Sequence, residues 1–129
     1  MADKILELEI NNWEKLVERS TEPVIVMFYN ENCPHCKTML PYFEKLFHDF
    51  QSKSVFGRIN VQNDPWIAER YGIMSVPAFK FFCNGKPVAE IVGAVYPDML
   101  AKMVDNVIIH GKECADKSSS VDYEITGYA

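Results

Sequence analysis

No apolar stretch of this chain approaches the ~20 residues needed to span a bilayer. Nor is there a block of basic residues. Thirteen Lys and Arg stand against eighteen Asp and Glu, for a formal net charge of −5. That balance argues against nucleic acid or an anionic membrane as the main partner. The start, Met1-Ala2-Asp3-Lys4, runs directly into an alternating segment. It lacks the charged, apolar and small-residue regions of a signal peptide, so a cytoplasmic location is the expectation. The four cysteines include one C-x-x-C, with no second one and no H-x-x-x-H to complete a zinc set. Lys37 stands where covalent haem attachment would need His after C-x-x-C. No repeat recurs along the sequence.

With 129 residues, the chain fits one domain. A domain of that length buries about two-thirds of its unfolded surface and needs no disulfide staples. Hydrophobic residues make up 48%, which excludes a wholly disordered chain. In a reducing cytosol a C-x-x-C is catalytic or metal-binding more often than structural. Cys33-Pro34-His35-Cys36 follows an apolar run, Pro23–Tyr29, and opens a helical pattern. Two thiols three positions apart at a helix start can close and reopen a small disulfide ring. The first thiol faces unsatisfied helix N–H groups, which stabilise a thiolate. This is the physical basis for thiol–disulfide exchange.

The hydrophobic pattern orders the elements. Lys4–Ile10 alternates, with Leu6, Leu8 and Ile10 on one face, and reads as a strand. Asn11 or Asn12 is a candidate cap for a short helix over Trp13–Arg19. Pro23–Tyr29 has the continuous apolarity of a strand covered on both faces. From Pro34 to about Phe50 the period is helical, through Met39, Leu40, Phe43, Leu46 and Phe47, and Pro41 inside it predicts a kink. Ser54–Val61 reads as a strand, and Pro65 opens a short helix that stops at Tyr71-Gly72. Pro77–Cys83 and Lys86–Gly93 flank Asn84-Gly85, a strong hairpin signal. Pro97–Ile109 carries a helical stripe, and Gly111 suits its C-cap. The order βαβαβα then ββα predicts an α/β fold with a mixed sheet and helices on both faces. Residues 1–111 form the expected domain. Residues 112–129 read as a flexible tail, with an edge strand through Val121, Tyr123 and Ile125 as the alternative.

Over roughly residues 4–110 the chain resembles a thioredoxin. The C-x-x-C after the second strand, with Lys37 and Pro41 behind it, carries part of the likeness. Tyr71–Pro77 looks like the family's loop with a cis proline, and Asn84-Gly85-Lys86 followed by Val92-Gly93-Ala94 looks like its hairpin and groove glycine. The resemblance implies a thioredoxin fold with a central mixed five-stranded sheet flanked by four helices. It also implies a protein thiol–disulfide oxidoreductase working as a monomer with no cofactor beyond a Cys33–Cys36 disulfide. Its partners would be protein disulfides or dithiols, with a flavin- or ferredoxin-linked reductase as electron donor. Cys33 would be the nucleophile and Cys36 the resolving thiol. Val76, Pro77 and Gly93 would meet the substrate backbone.

The chain departs from that pattern at several points. Asn32 replaces the usual Trp. Pro34-His35 replaces Gly-Pro and looks like the dipeptide of bacterial periplasmic thiol oxidases. Met27 takes the place of a buried Asp that helps deprotonate the second cysteine, and Glu31 is the nearest acid in sequence. A positive His35 would lower the Cys33 pKa and make the disulfide more oxidising; a solvated His35 would do neither. Arg58 falls where the family places a Lys near the site, and either tunes Cys36 or is a surface cation. Gly93 is either a groove residue or a strand-end glycine. Cys83 and Cys114 stand free or form a second bridge. A specialised isomerase or oxidase-like protein is the alternative function. A metal module and a non-catalytic adaptor are the rivals from other classes; the expected cis Pro77 argues against the first and the two cysteines against the second.

Overall fold

The computed structural model describes residues 4–110. Gly111, Cys114 and the segment 112–129, with the two readings of it, lie outside the described residues. The elements run β1 (Leu6–Leu8), α1 (Ile10–Trp13), a π-helical turn (Glu14–Glu18), β2 (Val24–Tyr29), α2 (Pro34–Phe50), β3 (Val55–Asn60), α3 (Pro65–Arg70), β4 (Ala78–Cys83), β5 (Lys86–Val92) and α4 (Pro97–Ile109). They form one five-stranded sheet in the order β1-β3-β2-β4-β5. β3 runs parallel to β1 and β2, and β4 runs antiparallel to β2 and β5. This is the expected α/β architecture with a mixed sheet and four helices.

β2 is the spine. It pairs on both edges, and Val24 to Phe28 are all buried. Its unbroken apolar sequence follows from that position, because neither face meets water. Helix α2 lies on one face. Phe43 packs at 5.3 Å from Phe56 and 5.8 Å from Phe79, measured between ring centroids. Leu100 and Val104 of α4 join the same cluster. Trp13, Val17 and Ile67 cover the opposite face with Val26, Phe28 and Phe82. There Trp13 Nε1–H donates to Tyr71 Oη at 3.2 Å, which satisfies the one polar atom of a buried indole. The buried Lys80 is paired with Glu90, its register partner on β5.

The first helix starts earlier than its sequence pattern suggests. β1 ends at Leu8, and Ile10 belongs to α1 and is exposed instead of lying in the strand face. Asn12 does not precede the helix but sits in its first turn, where its Oδ1 accepts from Glu9 N–H at 2.8 Å. Ile10 N–H donates to Asp64 Oδ1 at 3.2 Å, a contact across 54 positions. A loop remote in sequence therefore satisfies an N–H at the helix start, and local pattern alone does not show it. The chain continues as a π-helical turn, with Arg19 N–H donating to Glu14 O at 2.9 Å.

The β4–β5 hairpin turns on Asn84 (φ 55°) and Gly85 (φ 83°), both left-handed, as a two-residue turn of this hand requires. A Cβ on Gly85 would run into the Glu18 carbonyl oxygen. Gly85→Ala combines a disfavoured φ with that backbone clash. We expect it to lower stability by more than about 1 kcal/mol in urea unfolding. An unchanged midpoint would contradict this turn geometry.

Candidate redox site

β2 ends at Tyr29, and an Asx turn follows in which Asn32 N–H donates to Asn30 Oδ1 at 2.9 Å. The chain then reaches Cys33, which is the N-cap of α2 in extended conformation, with Pro34 in the first turn. Proline costs little there, since that N–H has no helical partner. Cys36 N–H donates to Cys33 Sγ at 3.1 Å. The sulfur thus occupies the place a Ser or Asp oxygen takes in ordinary caps, at the positive end of a 17-residue helix. Cys33 and Cys36 are joined in a disulfide, with their Cα atoms 5.2 Å apart. Both are well covered: Cys33 is 8% exposed and Cys36 3%, so Cys33 is the outer of the two by a narrow margin.

The loop before β4 closes over this sulfur pair. The Val76–Pro77 peptide bond is cis. The Val76 carbonyl oxygen lies 3.7 Å from Cys33 Sγ. Gly93, at φ 98°, donates its N–H to the Pro77 carbonyl at 2.7 Å. Cys33, Pro34, His35, Cys36, Val76, Pro77 and Gly93 therefore gather at one end of the sheet. Gly93 is required by its backbone, since that φ is costly with any Cβ; the space around it is open. His35 is exposed on the first turn of α2, and no described residue hydrogen-bonds to its imidazole.

Arg58 sits behind the pair. The strand registers place Glu7, Arg58, Met27 and Phe79 in one row across the sheet. Arg58 Nε donates to Glu7 Oε1 at 2.7 Å, and its guanidinium lies 5.2 Å over the Tyr29 ring. Tyr29 Oη–H donates to Glu7 Oε2, also at 2.7 Å. Arg58, Tyr29, Met27, Glu31 and Lys37 border a cleft of ≈ 230 Å³ that reaches Cys36. Glu31, nearest in sequence, thus does border the cleft at Cys36, while the acid that binds Arg58 is Glu7. The sequence did not single out Glu7, because its only signal is a polar position in an alternating strand. Strand pairing makes it a neighbour of Arg58.

This cluster shifts its own titrations. Burial, then the hydrogen bond and charge of Glu7, push the Tyr29 phenol up to about 12. For Arg58 burial pulls downward, but the bond and charge of Glu7 outweigh it and hold the guanidinium above its ordinary value. Among the described residues no group of three or more His, Cys, Asp or Glu is placed to hold a metal ion, and no helix is long and apolar enough to cross a membrane. Cys83 is buried at the end of β4 and takes part in a disulfide, while Cys114 lies outside the described residues.

A raised Tyr29 pKa means that the folded protein holds this proton where the unfolded chain loses it. The stabilisation is full below pH 10 and is lost as pH rises toward 12. In an alkaline absorbance titration, one of the six tyrosines should ionise near pH 12. Glu7→Gln should bring that midpoint down, though burial keeps it above 10. A wild type whose tyrosines all ionise near 10 would contradict the cluster.

Comparison with known proteins agrees with this geometry. The sequence profile of the family described as Thioredoxin matches residues 4–106. "Thioredoxin" of Chlorobaculum thiosulfatiphilum is 34% identical over 107 residues, covering 83% of this chain and 99% of that protein. "Thioredoxin 2" of Chlorobaculum tepidum is 32% identical over 108 residues, covering 84% and 99%. "Thioredoxin M5, chloroplastic" of Oryza sativa is 30% identical over 108 residues; the match covers 84% of this chain and 63% of the plant protein's length. A profile match over most of the chain, a Cys33–Cys36 disulfide at the head of α2 and the mixed five-stranded sheet lead to one conclusion: the chain belongs to the thioredoxin family and is a protein thiol–disulfide oxidoreductase.

Proposed function

We propose that Cys33 and Cys36 carry dithiol–disulfide exchange with protein substrates at a potential more oxidising than that of ordinary thioredoxin. The observation that carries this reading is Cys33 Sγ as the cap of α2, accepting from Cys36 N–H at 3.1 Å. In the reduced protein the Cys33 thiolate attacks one sulfur of a substrate disulfide. The substrate's other sulfur leaves as a thiolate and takes up a proton. Cys36 then loses its proton and attacks Cys33 Sγ, and the second substrate thiolate is released. Two electrons and the Cys36 proton pass to the substrate, and Cys33–Cys36 is left as a disulfide. A reductase returns it to the dithiol. Val76 and Gly93 offer backbone groups to the substrate strand beside the reacting sulfurs, and Pro77 holds the two together through its carbonyl.

The helix end and an exposed His35 both favour negative charge on Cys33. Stabilising the thiolate stabilises the reduced form, which raises the potential. Met27 acts in the same direction, since no carboxylate stands at that position to oppose a second thiolate. Arg58 supports the Cys36 end, because its guanidinium borders the cleft that reaches Cys36. Glu7 offsets part of that charge, so Arg58 acts more weakly than a free cation would.

Insulin reduction should be lost in Cys33→Ser, while Cys36→Ser should accumulate the mixed disulfide. Activity unchanged in Cys33→Ser would overturn the assignment. The redox potential should fall between the reference values of about −270 mV for ordinary thioredoxin and about −120 mV for the strong periplasmic oxidant. A titration at or below about −270 mV would reject the oxidising character. His35→Ser should lower the potential by ~30 mV, a tenfold change in the exchange equilibrium. An unchanged potential would make His35 a solvated helix residue.

A further inference from the structure

The chain has two tryptophans, and they occupy opposite environments. Trp13 is 1% exposed in the core. Trp66, on α3, is 64% exposed, and its side chain makes no hydrogen bond or ring contact with a described residue. Met74, on the loop before the cis bond, is 93% exposed. Both line a groove of ≈ 590 Å³ that also includes Ile73, Val61 and Val76. A large indole and a thioether left in water around one concavity form a surface suited to contact. Trp is the residue type that contributes most per position when an interface closes over it. Met adapts its shape to varied partners.

The occupant follows from where the groove ends. Val76 belongs to the groove, and its carbonyl oxygen is 3.7 Å from Cys33 Sγ. A polypeptide that brings a disulfide to Cys33 must lay the residues beside that cystine along Val76, and so into the groove. The charge there sets a second condition. Glu69 is the one charged residue of the lining, in a chain with net charge −5. An acidic flank would meet repulsion with no cation to offset it. Asn32 and His35, exposed beside Cys33, present polar groups instead.

We infer that Trp66, with Met74, selects protein substrates whose reactive cystine is flanked by a large apolar residue and not by an acidic one. The inference rests on the exchange reading above and names its substrate class. Trp66 is a specificity-determining residue here; it takes no part in bond making or breaking.

The test uses two disulfide-linked peptides identical except for Leu or Asp beside the cysteine, with the full chain as enzyme. Wild type should reduce the Leu peptide with kcat/KM about tenfold higher, carried mainly by KM. Trp66→Ala should bring the ratio between the two peptides close to one, and Trp66→Phe should restore most of it. In Cys36→Ser trapped as the mixed disulfide with the Leu peptide, tryptophan emission should shift to the blue, since buried Trp13 contributes a constant background. An unchanged Leu-to-Asp ratio in a folded Trp66→Ala protein, or unchanged emission in the trapped complex, would overturn the groove assignment while leaving the exchange reading intact. A blue shift driven by protein concentration alone would assign the groove to a second copy and overturn it as well. A wild type that reduces neither peptide nor insulin would remove both readings.

Discussion

The single contact between Cys36 N–H and Cys33 Sγ organises the site, and the rest of the fold serves to hold it. A cysteine can cap a helix only if the strand before it delivers the chain at the correct point and angle. β2 does so because it is locked on both edges and both faces, between β3 and β4 and beneath α1 and α2. A strand held on four sides has little freedom at its end. The position of Cys33 against the helix dipole is therefore a consequence of core packing and not of the loop. The same packing brings β4 beside β2, and the residues just before β4, Val76 and Pro77, arrive next to the sulfurs.

Electrostatic tuning of the buried sulfur works at longer range. In the row Glu7–Arg58–Met27, the position next to Cys36 is an uncharged thioether, and the carboxylate lies two strands away. Glu7 is engaged by both Arg58 and Tyr29, so its charge is largely committed. What reaches Cys36 is a cleft walled by Met27, Leu40 and Tyr29, with Lys37, Glu31 and the partly neutralised Arg58 at its border.

Much of this was legible in the sequence. The spans of α2 and α4 coincide with their hydrophobic periods, because a helix that covers one sheet face must repeat every 3.6 residues. Asn84-Gly85 marked the hairpin because few residue types tolerate two left-handed positions in succession. The start of α1 was not legible, since Asp64 satisfies it from 54 positions away. Glu7 was missed for the same reason. Trp66 was not singled out in the sequence, and only its orientation away from the core distinguishes it from Trp13.

The sequence by itself determined the strand-to-helix junction, the redox pair upon it, and the loop carrying Val76-Pro77. The first two rest on local rules of periodicity and capping, written in neighbouring residues, and the loop on its likeness to the thioredoxin family. Tertiary structure alone decided that Val76 stands 3.7 Å from Cys33, that Arg58 is held by Glu7, and that Trp66 faces the groove at the site. The first two are contacts between residues more than forty positions apart, and the third depends on which face of α3 packs on the core. Such contacts depend on strand order and register, which side-chain pattern constrains only through the folded whole.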